Sequence, residues 1–376
     1  MKPLENIKVL EIASYVPGPL AGLILSDLGA DVIKVEPPPY GDPLRLLGDS
    51  TNGGGRVFRS FNRGKKSILL DLKTEEGRNV LKLMIPKIDV VIVSMRPRSM
   101  VELGIDYETL RRFNSSLIYC SLTGYGLKGP YAERAGHDIS YQAVSGILFL
   151  SRDKNGNVII PATPQADILS SFHAVTLILS SLIEKLKKGK DAEGRLLDIS
   201  IAESVVSANL FNMALTDLPG DYYGSNGMML TGKYAFYNVY KTKDNKWLSV
   251  AAIEPKFWKK LCELIGREDL VMRQFDPEVK NELEMIFLQK SMEEWMTLLG
   301  GEDVCVEPVQ GKESVLSNPQ FEFRKTFFSG EDESLCFRFL PYNGHTGKRA
   351  PLLGEHTNEV LKEFKILPTL KKQVEY

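Results

Sequence analysis

The first 36 residues limit the fold most strongly, because they alternate a strand, a helix and a second strand. Residues 7–12 and 31–36 are short β-branched runs, as buried strands are. The apolar segment at about 20–28 can form the helix that carries the chain back across the sheet, so we predict a parallel β-α-β unit. The turn after the first strand lacks Gly-x-Gly-x-x-Gly, which argues against a dinucleotide cofactor.

The same alternation continues along the chain and predicts the domain organisation. Further strands are predicted at 68–72, 90–93, 117–122 and 195–200, with helices between them, which favours a Rossmann-like, doubly wound parallel sheet. We therefore expect a large α/β domain over 1–200, completed by 330–376. A helix and linker over 201–230 then lead to a smaller α+β domain over 231–329.

Composition excludes several classes of function. The 376 residues are 43% hydrophobic, and the formal net charge is −1, so nothing suggests a nucleic-acid partner. No uncharged apolar run reaches the roughly 18 residues of a membrane span, and we expect no membrane attachment. The four cysteines have no Cys-x-x-Cys spacing, which predicts neither a zinc site nor a redox motif but reduced thiols in a cytoplasmic protein.

Two residues, His137 and Asp167, are the best candidates for chemistry. His137 precedes a helix predicted from 139 to about 148, and Asp167 precedes a long apolar helix predicted over about 168–187. A histidine and a carboxylate can act as two bases on one carbon if the fold brings them together. On pattern alone, however, Asp167 is equally well explained as a helix cap, and His137 as a structural histidine.

Anion binding is suggested at three places, each with a simpler alternative. Gly53 to Gly55 fit a loop over a pocket better than a phosphate cradle, because no strand-to-helix turn surrounds them. Residues 62–67 contain an arginine and two lysines, which suit either a solvated turn or a phosphorylated ligand. Arg96 follows a strand at the sheet edge where ligands bind, which makes it a candidate phosphate contact.

Several short motifs, in a fixed order, give the chain a family resemblance. It resembles the family III CoA-transferase superfamily over nearly its whole length, and within it most closely the α-methylacyl-CoA racemases. The segments that carry the resemblance are 15–19, 28–32, 70–73, 96–97, 123–124, Gly136-His137-Asp138, 252–255, 305–309 and 354–357.

The resemblance implies an interlocked homodimer that binds acyl-CoA and uses no metal, flavin or nicotinamide. It implies that His137 and Asp167 are the two bases and that Glu254, from the small domain, orients His137. The CoA contacts that it implies are Leu70, Asp71, Leu72, Lys73, Arg96, Gly136, Asp138, Ile139, Ser140 and Tyr141.

One departure from the family pattern concerns the CoA nucleotide. Many relatives have an arginine after the acidic residue that closes the second strand, where this chain has Pro37. Arg45 is our candidate for the missing contact.

Two reactions are compatible with these residues. We favour a racemase, in which one base removes the α-proton of a 2-methylacyl-CoA and the other reprotonates the enolate on its opposite face. The alternative is CoA transfer between carboxylic acids with Asp167 as nucleophile. Transferases of this group usually lack the histidine of Gly-His-Asp, so His137 favours the racemase. A non-catalytic binder of CoA thioesters is a third hypothesis, which the presence of His137, Asp167 and Glu254 together disfavours.

Overall fold

The computed structural model describes residues 2–48, 54–153, 155–215, 224, 226–332, 335–338 and 347–366. The strands in these ranges are β1 (Lys8–Ile12), β2 (Asp31–Glu36), β3 (Lys66–Leu69), β4 (Val90–Val93), β5 (Ile118–Thr123), β6 (Arg195–Ser200), β7 (Tyr237–Lys241), β8 (Trp247–Ala251), β9 (Val306–Pro308), β10 (Phe327–Ser329) and β11 (Leu335–Phe337). The helices are α1 (Pro17–Asp27), α2 (Arg56–Asn62), α3 (Glu75–Met84), α4 (Pro97–Glu102), α5 (Tyr107–Leu110), α6 (Asp138–Val144), α7 (Ile147–Leu150), α8 (Gln165–Lys188), α9 (Ile201–Leu215), α10 (Pro255–Leu264), α11 (Val279–Phe287), α12 (Met292–Leu299), α13 (Lys312–Leu316), α14 (Pro319–Phe323) and α15 (Thr357–Glu363).

The first compact unit is built around a six-stranded sheet in which neighbouring strands run parallel. The strand order is β3-β2-β1-β4-β5-β6, so the chain winds from β1 to one edge, returns to the centre at β4 and continues to the other edge. Such sheets bind ligands outside the carboxyl ends of the strands at the point of reversal, which here lies between β1 and β4. The prediction of a doubly wound parallel sheet is confirmed.

Local sequence explains the central elements of this unit. The four residues of β4 are fully buried, because a parallel strand is covered by helices on both faces. Helix α1 is buried along its whole length and starts with prolines, whose missing N–H groups cost nothing in the first turn. Thr74 caps the start of α3, because its hydroxyl accepts a hydrogen bond from the Gly77 amide.

Helix α8 is the longest helix of the described residues. One side of it is buried and the other is exposed. Its last turn carries three lysines, which complement the helix dipole. Ile183 and Leu186 are exposed, the latter to 81%. By length and composition α8 could cross a membrane, and 44% of its most apolar window is buried. Such a helix is weak evidence for a membrane protein, because core helices pass the same test, and the absence of membrane attachment stays a prediction.

The second unit contains the antiparallel sheet β7-β8-β9 and the helices α10 to α12. Its core includes Trp258 and Trp295, whose indole N–H groups donate to the carbonyls of Leu270 and Phe287 at 3.1 and 2.8 Å. Both buried rings therefore have their polar atom satisfied.

The observed units differ from the predicted domain boundaries. The first comprises Met1–Ser145, Thr163–Val205 and Gln320–Tyr376, and the second comprises Gly146–Ala162 and Val206–Pro319. The helix predicted from 139 to 148 is interrupted at Gly146, whose φ of +80° is left-handed and ends α6. The start of α9 belongs to the first unit because the Ala202 amide donates to the Gly124 carbonyl at 3.0 Å. Gly53 and much of the predicted linker, 216–223 and 225, lie outside the described residues.

Candidate active site

A cavity of about 480 Å³ opens in the first unit beside the carboxyl ends of β1, β4 and β5. It contains five residues predicted from the sequence: Arg96, Gly136, His137, Tyr141 and Asp167. The fold therefore brings the two candidate bases, which are 30 positions apart, to one cavity at the sheet edge where ligands bind. Its other lining residues include Ser14, Tyr15, Ser94, Met95, Thr123, Gly124 and Arg134.

A second cavity, of about 230 Å³, lies at the carboxyl ends of β1 and β2. It is lined by the predicted CoA segment 70–73 together with apolar side chains of the sheet. Ser14 and Met95 line both cavities. Because these two residues follow β1 and β4, both cavities border the reversal point of the sheet. A long ligand could occupy both at once.

His137 is exposed at the amino terminus of α6. Its ring stands edge-on to the ring of Tyr15, with 5.7 Å between the centroids. Tyr15 has a left-handed backbone, with a φ of +64°, and its amide donates to a carboxylate oxygen of Asp42 at 3.3 Å. The turn after β1 therefore supplies an aromatic wall beside the candidate base.

Asp138 links the helix that follows His137 to the helix that carries Asp167. Its Oδ1 accepts hydrogen bonds from the amides of Ala166 and Asp167, at 2.8 and 3.2 Å, and its Oδ2 accepts one from the Gln142 side chain. Asp138 thus caps α8 from outside the helix. Asp167 is the third residue of α8, so the interpretation of Asp167 as the helix cap is wrong.

Asp167 is largely shielded from solvent, and this environment changes its acidity. Burial, with a further contribution from the charge of Asp138, raises the pKa of Asp167 from 3.8 to about 7. Near neutral pH both protonation states are then populated. A carboxyl group of this kind can either remove or return a proton.

Tyr141 is a fixed wall of the same cavity. Its hydroxyl donates to the Gly136 carbonyl at 2.7 Å, and burial raises its pKa to about 12. A Cβ atom at Gly124 or Gly136 would lie 2.7 or 2.8 Å from this ring, so both positions require glycine. Ile139 and Ser140 are not among the residues that line the cavity, and Ser140 instead accepts a hydrogen bond from the His137 amide at 3.4 Å.

Comparison with known proteins identifies the family of the chain. The sequence model of CoA-transferase family III matches residues 4–357. The chain belongs to CoA-transferase family III. The predicted membership is therefore confirmed.

The relatives of this family III protein include two kinds of enzyme. It is 32% identical to human alpha-methylacyl-CoA racemase, over 96% of this chain and 93% of the racemase. It is 30% identical to human succinyl-CoA:glutarate CoA-transferase, over 96% of this chain and 86% of the transferase. A crystal structure of a CaiB/BaiF family protein from Brucella suis superposes with a TM-score of 0.82 at 28% identity, covering 96% and 99% of the two chains.

The structure corrects the role predicted for Arg45 in this family III chain. Arg45 is only 5% exposed, and its guanidinium forms two hydrogen bonds to the Glu36 carboxylate, at 2.7 and 2.6 Å. It also stacks on Phe58, 3.7 Å from the ring centroid, and donates to the Pro351 carbonyl. These contacts bury the charge, so Arg45 does not present it to a CoA phosphate.

The basic residues 63–66 are likewise structural. Arg63 forms a bidentate ion pair with Asp27, and the Lys65 ammonium lies 2.7 Å from Glu11 in the core. Lys66 pairs with acidic residues at the amino end of β2 and on α15. The hypothesis of an anion site in this turn is wrong, because carboxylates of the protein compensate these charges.

Sequence reasoning missed several of the residues that line the cavity, among them Tyr15, Arg134 and Thr123. Tyr15 begins the motif 15–19, which we used only for the family resemblance. Arg134 stands three residues before His137 and stacks on Tyr131, but its loop gave no signal. Thr123 ends β5 and belongs to the motif 123–124, which we likewise used only for the family resemblance. Glu254 is exposed at the start of α10 in the second unit, and its role toward His137 stays a prediction.

Proposed function

We propose that this family III enzyme inverts the α-carbon of a 2-methylacyl-CoA by two-base proton transfer. One base removes the α-proton, the thioester forms an enolate, and the other base returns a proton to the opposite face. His137 and Asp167 are the two bases in this proposal, and Glu254 orients His137. The observation that carries it is the presence of His137 and Asp167 in one cavity, together with the raised pKa of Asp167.

The acidity of Asp167 supports a proton-transfer role. In each direction of a racemisation one base must start deprotonated and the other protonated. A general acid or base contributes most when its pKa lies near the operating pH, and an ordinary aspartate near 3.8 would be a poor acid at pH 7. The pKa of about 7 that burial and Asp138 impose allows Asp167 to fill either role.

The two neighbouring cavities support an acyl-CoA ligand. The smaller cavity is mainly apolar and contains 70–73, which suits the nucleotide end of CoA. The larger cavity contains the bases and would take the thioester. Arg96 is exposed at its edge and has no ion pair among the described residues, so its guanidinium is available to a phosphate. We propose no metal, flavin or nicotinamide.

We also propose that the enzyme is a homodimer and acts in the cytoplasm. The apolar residues that α8 exposes on one side, Phe172, Ile183 and Leu186, form a surface that a second copy would cover. Sedimentation of the purified protein at micromolar concentration tests the dimer, and a monomer would refute it.

The test of the proposed function is an isotope experiment. One pure enantiomer of a 2-methylacyl-CoA is incubated with the protein in D₂O and followed by NMR and chiral analysis. We expect deuterium at the α-carbon and loss of enantiomeric purity. The variants His137→Ala and Asp167→Asn should each lower the racemisation rate by about 10²- to 10⁴-fold.

Matched controls separate chemistry from folding in this experiment. His173→Asn and Asp191→Asn replace an exposed histidine and an exposed aspartate outside the cavity and should leave the rate unchanged. Full exchange in the His137→Ala variant would overturn the role of His137.

CoA transfer is the second candidate, because the relatives include a CoA-transferase at similar identity. In that reaction the ionised Asp167 attacks the thioester carbonyl and expels the CoA thiolate, which leaves a mixed anhydride. The thiolate then attacks the aspartyl carbonyl, which releases the donor acid and leaves CoA bound to Asp167 as a thioester. An acceptor carboxylate takes the CoA by the reverse of these two steps. The raised pKa of Asp167 lowers its ionised fraction at neutral pH, which favours the racemase. If no deuterium enters, but a free acid receives CoA and hydroxylamine traps an adduct at Asp167, the transferase is correct.

A further inference from the structure

Thr123 is a buried polar residue that the proposed chemistry does not yet use. It is the last residue of β5, and its backbone pairs with Ser200 of β6. The side chain is only 4% exposed. Within the part of the chain that the structure describes, its hydroxyl oxygen has no hydrogen-bond partner. Thr123 also lines the cavity that contains His137 and Asp167.

A buried hydroxyl without a partner is costly, by about 1–3 kcal/mol. Buried polar groups in native proteins nearly always have a partner, and an exception calls for a ligand or water. Other buried hydroxyls of this unit follow the rule: Ser171 donates to the Pro17 carbonyl at 2.8 Å, and Ser67 to Glu36 at 2.6 Å. Valine has the same shape as threonine and would fill the position without this cost.

The chemistry in the cavity identifies the group that Thr123 would meet. The α-carbon of the substrate has to lie within reach of His137 and Asp167, and the thioester carbonyl is one bond away from it. When the α-proton leaves, negative charge develops on that oxygen, which then needs hydrogen-bond donors. A carbonyl oxygen accepts and a hydroxyl donates, so the two groups are complementary.

Three donors near His137 are engaged in the protein. The His137 amide donates to Ser140, and the Ser140 amide donates to the His137 carbonyl at 2.7 Å. The Tyr141 hydroxyl donates to the Gly136 carbonyl. Thr123 differs from these groups because its hydroxyl proton has no acceptor among the described residues.

We propose that the Thr123 hydroxyl donates a hydrogen bond to the thioester carbonyl oxygen of the acyl-CoA and stabilises the negative charge that develops there. This inference rests on the proposed function for its rate effect. It applies equally to CoA transfer, because attack on the thioester places charge on the same oxygen. Thr123 is thus a catalytic residue that touches the reacting group.

The experiment compares Thr123→Val, which removes only the hydroxyl, with Thr123→Ser, which keeps it. In the α-proton exchange assay we expect kcat of Thr123→Val to fall about 10²- to 10³-fold, as when other oxyanion donors are removed. Thr123→Ser should stay within about 10-fold of the wild type. The melting temperature of Thr123→Val should not fall, because the unliganded protein loses an unpaired hydroxyl and no hydrogen bond.

A matched control and a binding assay identify the atom that Thr123 recognises. Ser121 is a buried hydroxyl two residues earlier on the same strand that does not line the cavity, so Ser121→Ala should leave kcat unchanged. In titration calorimetry, a thioester and the matching thioether of CoA, which lacks the carbonyl, are compared. Wild type should prefer the thioester, and Thr123→Val should lose this preference while its affinity for free CoA is unchanged.

The outcomes separate this inference from the proposed function. Wild-type turnover with an equal kcat in Thr123→Val overturns the role of Thr123 and leaves the proposed function intact. An equal loss of affinity for free CoA and for both analogues would assign the hydroxyl to the pantetheine arm and also overturn it. If the wild type neither exchanges nor transfers, the proposed function fails, and the thioester preference still decides the role of Thr123.

Discussion

Asp138 and Asp167 are joined by a hydrogen bond of 3.2 Å from the Asp167 amide to the Asp138 carboxylate. Asp138 thereby affects both the position and the acidity of Asp167. Asp138 holds the first turn of α8, which positions Asp167 in the cavity, and its negative charge adds to burial in raising the pKa of Asp167 to about 7. The pKa of a carboxyl group that ordinarily lies near 4 is raised toward neutral pH by burial and by this neighbour.

The variant Asp138→Asn should shift the pH dependence of proton exchange downward. Asparagine keeps an oxygen for the amides of Ala166 and Asp167 but removes the charge. The pKa of Asp167 should then fall below 7 and remain above 3.8, because burial is the larger cause. The buried Oε1 of Gln142 has no partner among the described residues and could accept from the new amide after a rotation. A pH profile of deuterium uptake measures the midpoint, and an unchanged midpoint would contradict the electrostatic account.

The raised pKa of Asp167 also predicts how stability changes with pH. Between about pH 4 and pH 7 the folded protein holds a proton on Asp167 that the unfolded chain has lost, so the free energy of unfolding falls as pH rises through this window. Asp167→Asn removes this dependence. Urea denaturation gives the free energy of unfolding of the variant and of the wild type at each pH. We expect the gain of the variant over the wild type to be roughly 1–3 kcal/mol larger at pH 8 than at pH 4.5. For Asp191→Asn the gain should be the same at both pH values.

Arg45 and Arg96 should respond in opposite ways to replacement by alanine. Arg45→Ala leaves the buried Glu36 carboxylate without its partner and should lower the free energy of unfolding by about 3–5 kcal/mol. Arg96→Ala should change stability by less than about 0.5 kcal/mol, because the side chain is exposed. It should weaken CoA binding about 10- to 100-fold by removing a charged hydrogen bond. Thermal melting and calorimetric titration with CoA measure both effects. Unchanged CoA affinity in Arg96→Ala would refute its predicted contact.

Gly124→Ala should disturb Tyr141 and, through it, the cavity. The added Cβ would lie 2.7 Å from the tyrosine ring, which is held by its hydrogen bond to Gly136. We expect a loss of about 1–3 kcal/mol in stability and weaker acyl-CoA binding. Gly301→Ala meets open space and serves as the control. In a double-mutant cycle with Tyr141→Leu, the cost of Gly124→Ala should shrink, and additive effects would show that the clash lies elsewhere.

The sequence alone was sufficient to predict the secondary-structure elements that depend on a local pattern of residues. The β-branched runs at 31–36 and 90–93 became β2 and β4, because strands of that composition are buried wherever helices cover both faces. Gly136 and His137 were predicted as site residues, and the structure places both in the wall of the cavity. These predictions needed only side-chain chemistry and spacing along the chain.

Tertiary structure decided which charged residues are free to act, because burial and pairing depend on residues far apart in sequence. Arg45 was predicted to contact CoA, but its guanidinium is enclosed by Glu36, Phe58 and Pro351. Asp138 was predicted as a CoA contact, and the fold shows that its carboxylate accepts hydrogen bonds from the amides of Ala166 and Asp167 at the start of α8. A local sequence pattern shows which charged side chains are present. Only the packed fold sets the solvent and the neighbours that determine whether each group is a structural ion pair, a helix cap or a base near neutral pH.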